Sequence, residues 1–534
     1  MNRKTVYLET FGCQMNELDS QLVMGELRRL GYTESSDPER ADIFLYNTCS
    51  VRDNAEQKVR SRLGELRIRK ESDPDIVVAV LGCMAERDGA DMLKRFPVVD
   101  VLCGPAELDK LPALLDNAAR TGSGAQIALQ GDASRRSATL AAAQDSLEML
   151  DLSRAVSPHD HDGSAYVRIT RGCNKFCTYC VVPHTRGAEI HRPPDHIIDE
   201  CKRLADAGVV EITLLGQTVN HYRYEHGAAI TLGGIEQPQK GRSYQGGHRR
   251  DPFAGATTTT FADLLKRIHD EVPAIQRLRF VTSYPRDFGD DVLEVIRDSP
   301  RICRYLHIPA QSGSDAVLKR MNRGYTVAEY LDFIERARAF LDQPEIGRPL
   351  MLAGDIIAGF CGETEEDHNA TRDLLLRAQY KNCFIFKYSP RPGTTAYDRL
   401  PDDVPEEVKR RRCNDLLALQ QSISDTISRA QIGRTLEVFV QGVSQRERKR
   451  QKASAGGSIA LTVGGRPANE SQALDQATES IQMTGRTEGD LIVVFDCPAD
   501  ASPAELIGRT LPIRIDTAST LTMSGTLTSD ATAL

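Results

Sequence analysis

Residues 168–187 read RITRGCNKFCTYCVVPHTRG and place Cys173, Cys177 and Cys180 within eight positions. With 13 cysteines among 534 residues, chance produces far less than one C-x3-C-x2-C pattern, so the triplet needs a chemical explanation. The cysteines directly follow the predicted strand AYVRITRG. They therefore lie where a strand of an α/β protein ends, which is where such folds build their sites.

Three closely spaced thiols have few chemical uses. A structural zinc ion needs four ligands, and the nearest candidate for the fourth is His184. A disulfide is disfavoured by the odd cysteine count and by the reducing compartment expected for this chain. An iron–sulfur cluster is favoured because thiolates are its standard ligands. Three cysteines on a [4Fe–4S] cube leave one iron open to bind something else, and zinc stays the alternative.

A second cysteine pattern runs through residues 4–115. The predicted strands KTVYLETFGC, ADIFLYNTC and DIVVAVLGC alternate with helix-period segments, which predicts a parallel sheet with helices on its faces. The three strands end on Cys13, Cys49 and Cys83. Because equivalent ends of parallel strands meet at one sheet edge, these cysteines are predicted to converge and to hold a second cube with an open iron. Ordinary buried thiols are the alternative.

From residue 165 to about 390, six strand candidates alternate with helices, which predicts a full or partial (β/α) barrel. Several of these strands end on polar residues that would face the active-site end of the barrel. The remaining cysteines fall in helices or strand interiors and are interpreted as buried thiols. The strand-end residues are Gln217, Ser283, Gln311 and Asp355, and the seven cysteines are Cys103, Cys201, Cys303, Cys361, Cys383, Cys413 and Cys497.

The rest of the chain divides by composition. Residues 121–164 are small and polar, and His159 and His161 among them are interpreted as solvated. The linker itself is assigned to 121–158. A helix over 405–430 precedes alternating strands typical of a small β-barrel. The predicted domains are 3–120, 159–425 with a flexible glycine-rich insertion at about 223–260, and 428–520 with an insertion at about 445–480. The second insertion begins with basic QRERKRQK, either a solvated charge run or a contact to nucleic-acid phosphates.

Charge and hydropathy narrow the class of protein. The net charge of −8 argues against a uniformly basic nucleic-acid coat. The N-terminal residues lack the pattern of a secretory signal. The longest apolar run, around DIVVAVLGCMA, is far short of the roughly 20 residues that span a bilayer. We therefore expect a cytoplasmic protein with no membrane partner.

The motifs together resemble a known family. C-x3-C-x2-C with Tyr179 before its last cysteine is similar to the radical S-adenosylmethionine (SAM) superfamily. Within it, the chain resembles the methylthiotransferases over about four fifths of its length. The matching segments are GCQMNELDS, YNTCSVR, GCNKFCTYCVVPHTRG, LLGQTVN, LHIPAQSGSD and SPRPGT.

The resemblance implies a radical-SAM barrel between an N-terminal domain that holds an auxiliary cluster and a C-terminal RNA-binding TRAM β-barrel. It implies methylthiolation at C2 of N6-isopentenyladenosine at position 37 of tRNA, with two SAM molecules and sulfur from the auxiliary cluster. By position, Cys173, Cys177 and Cys180 would hold the radical [4Fe–4S] cluster, and Cys13, Cys49 and Cys83 the auxiliary one. The candidates for the SAM pocket are Tyr179, Gln217, Ser283, Gln311, Arg323 and Gly359.

The implied partners are the tRNA anticodon stem-loop, an electron donor of the flavodoxin or ferredoxin type, and an iron–sulfur carrier. The nearest alternative is a sibling methylthiotransferase for threonylcarbamoyladenosine in tRNA or for a ribosomal-protein aspartate. A non-enzymatic zinc- or RNA-binding protein is the alternative from another class. The chain departs from the family pattern at Cys361, where proline is usual, and in the lengths of both insertions.

Overall fold

A parallel sheet forms the N-terminal domain in the computed structural model, which describes residues 4–50, 53–121, 124–130, 146–154, 161–241, 255, 257–455, 462–463, 466–467 and 480–528. Its strand order is β2-β1-β3-β4-β5-β6. The strands are β1 (Thr5–Thr10), β2 (Thr33–Glu34), β3 (Ile43–Thr48), β4 (Val77–Gly82), β5 (Val101–Cys103) and β6 (Gln126–Ala128). The helices are α1 (Gln14–Arg29), α2 (Asp53–Ser72), α3 (Cys83–Asp88), α4 (Ala90–Arg95) and α5 (Leu111–Thr121).

The predicted βαβαβ unit is confirmed as β1, β3 and β4, which are neighbours in the sheet. Every residue of β3 and β4 is buried. Such continuous burial is expected of a parallel strand covered on both faces, and it is why the strands read as unbroken apolar runs. Strands β2, β5 and β6 were not predicted, because they are only two or three residues long.

The prediction of a plain linker over 121–158 is wrong for two of its described parts. Residues 126–128 form β6 and pair with β5. Residues Ser146–Leu152 form helix α6, which packs against the N-terminal domain. His161 is not a solvated linker residue either, since its ring lies 3.1 Å from both the Ala207 carbonyl oxygen and the Gly163 backbone nitrogen. His159 lies outside the described residues.

The central domain is a partial barrel of six parallel strands in chain order, as the alternating pattern predicted. Strands β7, β10 and β16 pair in one group and β17, β18 and β19 in another, and a parallel bridge from Leu278 to Ile302 joins the groups. The strands are β7 (Ser164–Arg168), β10 (Glu211–Leu215), β16 (Arg277–Phe280), β17 (Tyr305–His307), β18 (Met351–Ala358) and β19 (Asn382–Lys387).

The helices of the central domain surround these strands. Their apolar sides form the largest core cluster of the molecule, together with the buried strands. They are α7 (Val182–Thr185), α8 (Pro194–Asp206), α9 (Phe261–Glu271), α10 (Asp290–Asp298), α11 (Asp315–Arg320), α12 (Val327–Leu341), α13 (Glu365–Ala378), α14 (Thr395–Arg399) and α15 (Glu406–Arg429).

The prediction of a flexible loop at 223–260 is wrong for the described part of that insertion. Short strands there pair with one another and with the core, and Tyr224 is completely buried. Residues 242–254 and 256 lie outside the described residues. The strands of this region are β8 (Thr170–Arg171), β9 (Ile190–His191), β11 (Arg223–Glu225), β12 (Thr231–Leu232), β13 (Ile235–Glu236), β14 (Gln239–Lys240) and β15 (Thr258–Thr260).

The C-terminal domain is a closed barrel of five strands, which confirms the predicted small β-barrel. Its basic insertion begins with helix α16 (Gln445–Ala455) and continues through the two-residue strands β21 (Thr462–Val463) and β22 (Arg466–Pro467). Helix α17 (Pro503–Leu506) lies on the barrel. The barrel strands are β20 (Thr435–Val443), β23 (Gln482–Thr487), β24 (Ile492–Asp496), β25 (Thr510–Ala518) and β26 (Thr522–Leu527).

The small barrel is joined to the central domain by buried ion pairs at the turn between β23 and β24. Asp490 in this turn accepts hydrogen bonds from Arg279 at 2.6 Å and from Lys381 at 2.7 Å. Burial would raise the pKa of Asp490, but Arg279, Lys381 and Arg486 lower it by more, so the pKa of the carboxyl is held well below its usual range.

Among the described residues, no helix is long and apolar enough to cross a membrane.

We expect Asp490→Asn to weaken the docking of the small barrel. Losing the charge leaves Arg279 and Lys381 without their shared acidic partner, and breaking a buried ion pair typically costs about 3–5 kcal/mol. The midpoint of thermal unfolding should fall, and limited trypsin digestion should release the C-terminal barrel. The control is Asp496→Asn, because Asp496 is exposed on the same barrel. Equal behaviour of the two variants would contradict the role given to Asp490.

Candidate active site

The loop with the first cysteine triplet leaves β8 and ends at α7. Gly172 begins it at a φ of +69°, and a Cβ at this position would lie 2.0 Å from the carbonyl oxygen of Ala188. Only glycine fits both the backbone angle and the space. The tight turn brings residues 173–180 over the ends of the core strands.

Polar groups from distant parts of the chain meet these thiols. Cys173 Sγ accepts a hydrogen bond from the backbone N–H of Lys175 at 3.5 Å and lies 3.6 Å from the hydroxyl oxygen of Thr218. Arg323 Nη1 donates to Cys177 Sγ at 3.3 Å. Sulfur atoms that accept hydrogen bonds from N–H donors are in the environment expected for thiolate ligands.

The surroundings of the loop favour neutral thiols. Burial, together with Glu189 and Cys177, raises the pKa of the Cys173 thiol to about 11. Burial also raises the pKa of Cys180, and the nearby Cys177 and Cys173 add to this because thiolates repel one another. A bound metal centre reverses this effect, since a coordinating thiol is deprotonated outright.

The spacing of the thiols separates a cluster from a single metal ion. Zinc binds each thiolate at about 2.3 Å, so a tetrahedral site holds its sulfurs about 3.8 Å apart. Within the described residues, no three cysteine sulfurs lie within 4.8 Å of one another. A four-iron cube binds each thiolate at a different iron and so spreads its ligands more widely. The spacing of the donor set therefore suits a four-iron cube better than a single zinc ion, and His184, the fourth zinc ligand considered from the sequence, is exposed.

The second triplet converges at one edge of the N-terminal sheet, as the strand pattern predicted. Cys13, Cys49 and Cys83 follow the carboxyl ends of the adjacent strands β1, β3 and β4. Gly12 has a φ of +122°, and a Cβ on it would lie 3.1 Å from Cys49 Sγ, so this turn presses against the second cysteine. Burial raises the pKa of Cys83, and the neighbouring Cys13 raises it further.

Arg186 is a buried cation beside this triplet, and the sequence patterns did not identify it. It donates to Asn16 Oδ1 at 2.7 Å and to Asp19 Oδ2 at 2.9 Å. Burial lowers its pKa, but Cys83, Asp19 and Cys13 raise it by more. The same guanidinium lowers the pKa of Cys83 and so favours the thiolate form. Arg186 follows the first triplet in sequence, so it links the two cysteine groups.

Arg186 is part of a larger set of buried charges, the interdomain charge cluster. Arg168 of β7 donates to Asp151 at 2.7 Å and to Asp19 at 3.3 Å. Arg192 donates to Glu148 at 2.9 Å and to Glu200 at 2.7 Å. The four acidic and four basic members balance in charge, and they join α1, α6 and the central domain. They are Asp19, Glu148, Asp151, Glu200, Arg154, Arg168, Arg186 and Arg192.

Five of the six cysteines of the two triplets line one cavity of about 880 Å³. Cys13 and Cys49 line it from the N-terminal domain, and all three cysteines of the 173–180 loop line it from the central domain. Arg486 and Leu521 line it from the small barrel. The volume lies in the range of small-molecule sites. Cys83 is buried and is not a lining residue.

Five of the six predicted SAM-pocket residues line this cavity. Tyr179 packs edge-on against Phe360, with ring centroids 6.2 Å apart. Ser283 Oγ is buried and has no hydrogen-bond partner among the described residues, so it is ready for a polar ligand. The five lining residues are Tyr179, Gln217, Ser283, Gln311 and Arg323.

Gly359 is the exception, because it is not a lining residue. It has a φ of +75°, and a Cβ on it would lie 2.4 Å from Cγ of Lys409. Glycine is thus required at this position by a turn that packs against α15.

The seven cysteines outside the two triplets agree with their interpretation as buried thiols, except that Cys413 is partly exposed. Cys361 is buried at the position where the family usually has proline.

Comparisons with known proteins show the family to which the chain belongs. The profile of "Uncharacterized protein family UPF0004" matches residues 5–104, and that of the Radical SAM superfamily matches residues 167–375. The tRNA-2-methylthio-N(6)-dimethylallyladenosine synthase of Rhodopirellula baltica is 41% identical over 98% of this chain and 95% of its own length. The chain belongs to this synthase family.

The synthase of Syntrophotalea carbinolica is 35% identical over 96% of this chain and 98% of its own length. The radical SAM methyltransferase TsrM from Kitasatospora setae, solved with cobalamin and a [4Fe–4S] cluster bound, has a TM-score of 0.47 and 14% identity, covering 74% of this chain and 77% of that one. Membership of the synthase family confirms the methylthiotransferase resemblance and excludes a non-enzymatic zinc- or RNA-binding protein. The cofactors of this synthase-family chain are [4Fe–4S] clusters and SAM.

We expect Asp19→Asn to destabilise the junction between the N-terminal and central domains. The change leaves Arg168 and Arg186 buried with less compensating charge, which typically costs about 3–5 kcal/mol. The midpoint of thermal unfolding should fall by about 5 °C or more. The control is Glu26→Gln on the same helix, where the partner Arg29 is mostly exposed. A midpoint for Asp19→Asn equal to that of the control would contradict the role of the charge cluster.

Proposed function

We propose that the chain methylthiolates C2 of N6-isopentenyladenosine at position 37 of tRNA, giving 2-methylthio-N6-isopentenyladenosine. The observation that supports this proposal most strongly is the single cavity that cysteines of both triplets line. A sulfur-inserting enzyme must bring a sulfur source and a hydrogen-abstracting centre to the same carbon atom. Two triplets on separate surfaces would not meet this requirement. The names of the synthase relatives support the same substrate.

The six cysteines are proposed as the cluster ligands. Cys173, Cys177 and Cys180 hold the radical cluster, and the triplet at the N-terminal sheet edge holds the auxiliary cluster. When bound, the two [4Fe–4S] clusters and SAM supply the electron, the hydrogen abstraction and the methylthio group. The protein positions them, and the hydrogen bonds that the N–H groups of Lys175 and Arg323 donate to the sulfur atoms tune the cluster potential.

The remaining lining residues are proposed to bind and orient SAM. Arg323 is held by stacking over the rings of Tyr284 and Tyr325, at 4.6 and 5.1 Å from the centroids, and by a hydrogen bond to the Pro309 carbonyl. A guanidinium fixed in this way is preorganised to face the thiolates and any carboxylate beside them. Gln217, Ser283 and Gln311 offer polar groups at the strand ends.

The outer part of the cavity is proposed as the nucleoside entrance. Phe384 and Phe386 on one face of β19 line the cavity and are more than 40% exposed. Leu521 of the small barrel, 68% exposed, faces the same cavity. An unstacked loop base and its isopentenyl chain need such apolar surface. Once seated, the base would keep water from the reacting carbon.

The domain assignment that follows is a proposal. Residues 3–120 carry the auxiliary cluster, 159–425 form the radical SAM core, and 428–520 form a TRAM-like domain that binds the tRNA anticodon stem-loop. The basic start of α16 adds positive charge for phosphates next to the barrel. The proposal also includes two protein partners. An electron donor of the flavodoxin or ferredoxin type would supply the low-potential electron, and an iron–sulfur carrier would replace the consumed sulfur. The proposed location is the cytoplasm.

Cluster content tests the two sets of ligands. Anaerobically prepared protein should contain about 8 Fe per chain, falling to about 4 when Cys173, Cys177 and Cys180 become Ala. The corresponding triple variant of Cys13, Cys49 and Cys83 should lose the other half. The control is Cys413→Ala, which should keep all the iron. Iron that does not fall in either triple variant would contradict the ligand assignment.

The reaction is tested by mass analysis of tRNA nucleosides. Cells that lack the protein should accumulate N6-isopentenyladenosine and lose its 2-methylthio derivative, and the wild-type chain should restore it. Neither triple cysteine variant should restore it, since one half of the chemistry is missing in each. Persistence of the methylthio group in cells without the protein or a paralogue would exclude the proposed reaction.

A further inference from the structure

A second group of metal-ligand side chains lies behind the radical loop and outside both triplets. Glu189, His191 and His221 each have a ligand atom within 4.8 Å of the others, and all three are buried. Glu189 directly precedes β9, which ends at His191, and His221 follows the end of β10. The fold therefore brings two loops of the core together at this point.

The group lacks the hydrogen bonds that buried polar side chains normally have. Glu189 Oε2 pairs with His221 Nδ1 at 2.5 Å. Within the described part of the chain, neither Glu189 Oε1 nor His191 Nδ1 has a hydrogen-bond partner, although both atoms are buried. Most buried polar atoms in native proteins are partnered, so the unpaired oxygen and nitrogen call for a ligand.

We propose that Glu189, His191 and His221 bind a zinc ion. Two imidazoles and one carboxylate form a known zinc donor set, with a fourth position left for water. Bonds of about 2.0–2.1 Å place tetrahedral ligand atoms about 3.4 Å apart, within the 4.8 Å of the observed grouping. Glu189 Oε2 and His221 Nδ1 are closer than this, so the ion would replace the hydrogen bond between them. Nitrogen and oxygen donors distinguish this site from the two sulfur-lined triplets, which suit iron–sulfur clusters.

The role of the ion is to fix the insertion and the radical loop to each other. Gly241, after β14 of the insertion, covers the site so closely that a Cβ on it would lie 2.9 Å from Glu189 Oε2 and from His191 Nε2. Its carbonyl accepts from Asn174 Nδ2 at 3.1 Å. Asn174 directly follows Cys173, so a metal ion here positions the first residue of the radical triplet.

Metal analysis of the anaerobic holoenzyme tests the site. Protein from zinc-supplemented cells should contain about one zinc per chain besides its iron. Glu189→Gln and His221→Asn should each lower the zinc at least tenfold and leave the iron unchanged. The control is His226→Asn, because His226 lies in the same insertion and bonds to Thr259 at 2.8 Å. Variants that keep their zinc would overturn the proposal.

X-ray absorption at the zinc edge of the wild-type protein does not depend on how the variants fold. The proposal requires a shell of nitrogen and oxygen ligands at about 2.0–2.1 Å. Zinc that had entered a cysteine site would show sulfur at about 2.3 Å instead. A sulfur shell, or zinc below one tenth of the chain concentration, would overturn the proposal. Either failure would leave the iron and nucleoside tests of the proposed reaction unaffected.

Discussion

The carboxylate of Asp19 is the constraint on which the geometry of the site depends. It binds Arg168 of the first core strand and Arg186 of the segment after the radical loop, and it lies on the helix that directly follows Cys13. Buried ion pairs are weak sources of stability, because desolvation offsets most of the attraction. They nevertheless fix the relative position of the two charged groups, since a displaced partner leaves a buried charge uncompensated. The interdomain charge cluster thereby sets where the second triplet lies relative to the first.

Much of this site could be predicted from the sequence, because its chemistry is local or follows from topology. The first triplet is a contiguous motif. The second triplet converges because parallel strands end at one sheet edge, and β1, β3 and β4 are neighbours. The pairing of Asp19 with Arg168 could not be predicted, since the residues are 149 positions apart and no periodic pattern marks such a pair.

The failures of prediction have physical reasons as well. Composition indicated a linker at 121–158. Glu148 and Asp151 on α6 are instead buried against arginines, and these ion pairs with distant residues cannot be recognised from local composition. The insertion at 223–260 has few apolar residues, yet strand pairing and the burial of Tyr224 order its described part. Gly359 is a predicted SAM-pocket residue, but its positive φ and the contact with Lys409 explain the glycine without a ligand.

The shared cavity has a consequence for how the substrates would bind. Its volume of about 880 Å³ is that of a small-molecule site, and five of the six triplet cysteines line it. SAM bound beside the Cys173–Cys180 loop would therefore form part of the wall against which the nucleoside packs. The binding site for the nucleoside would then be complete only when the cofactor is in place.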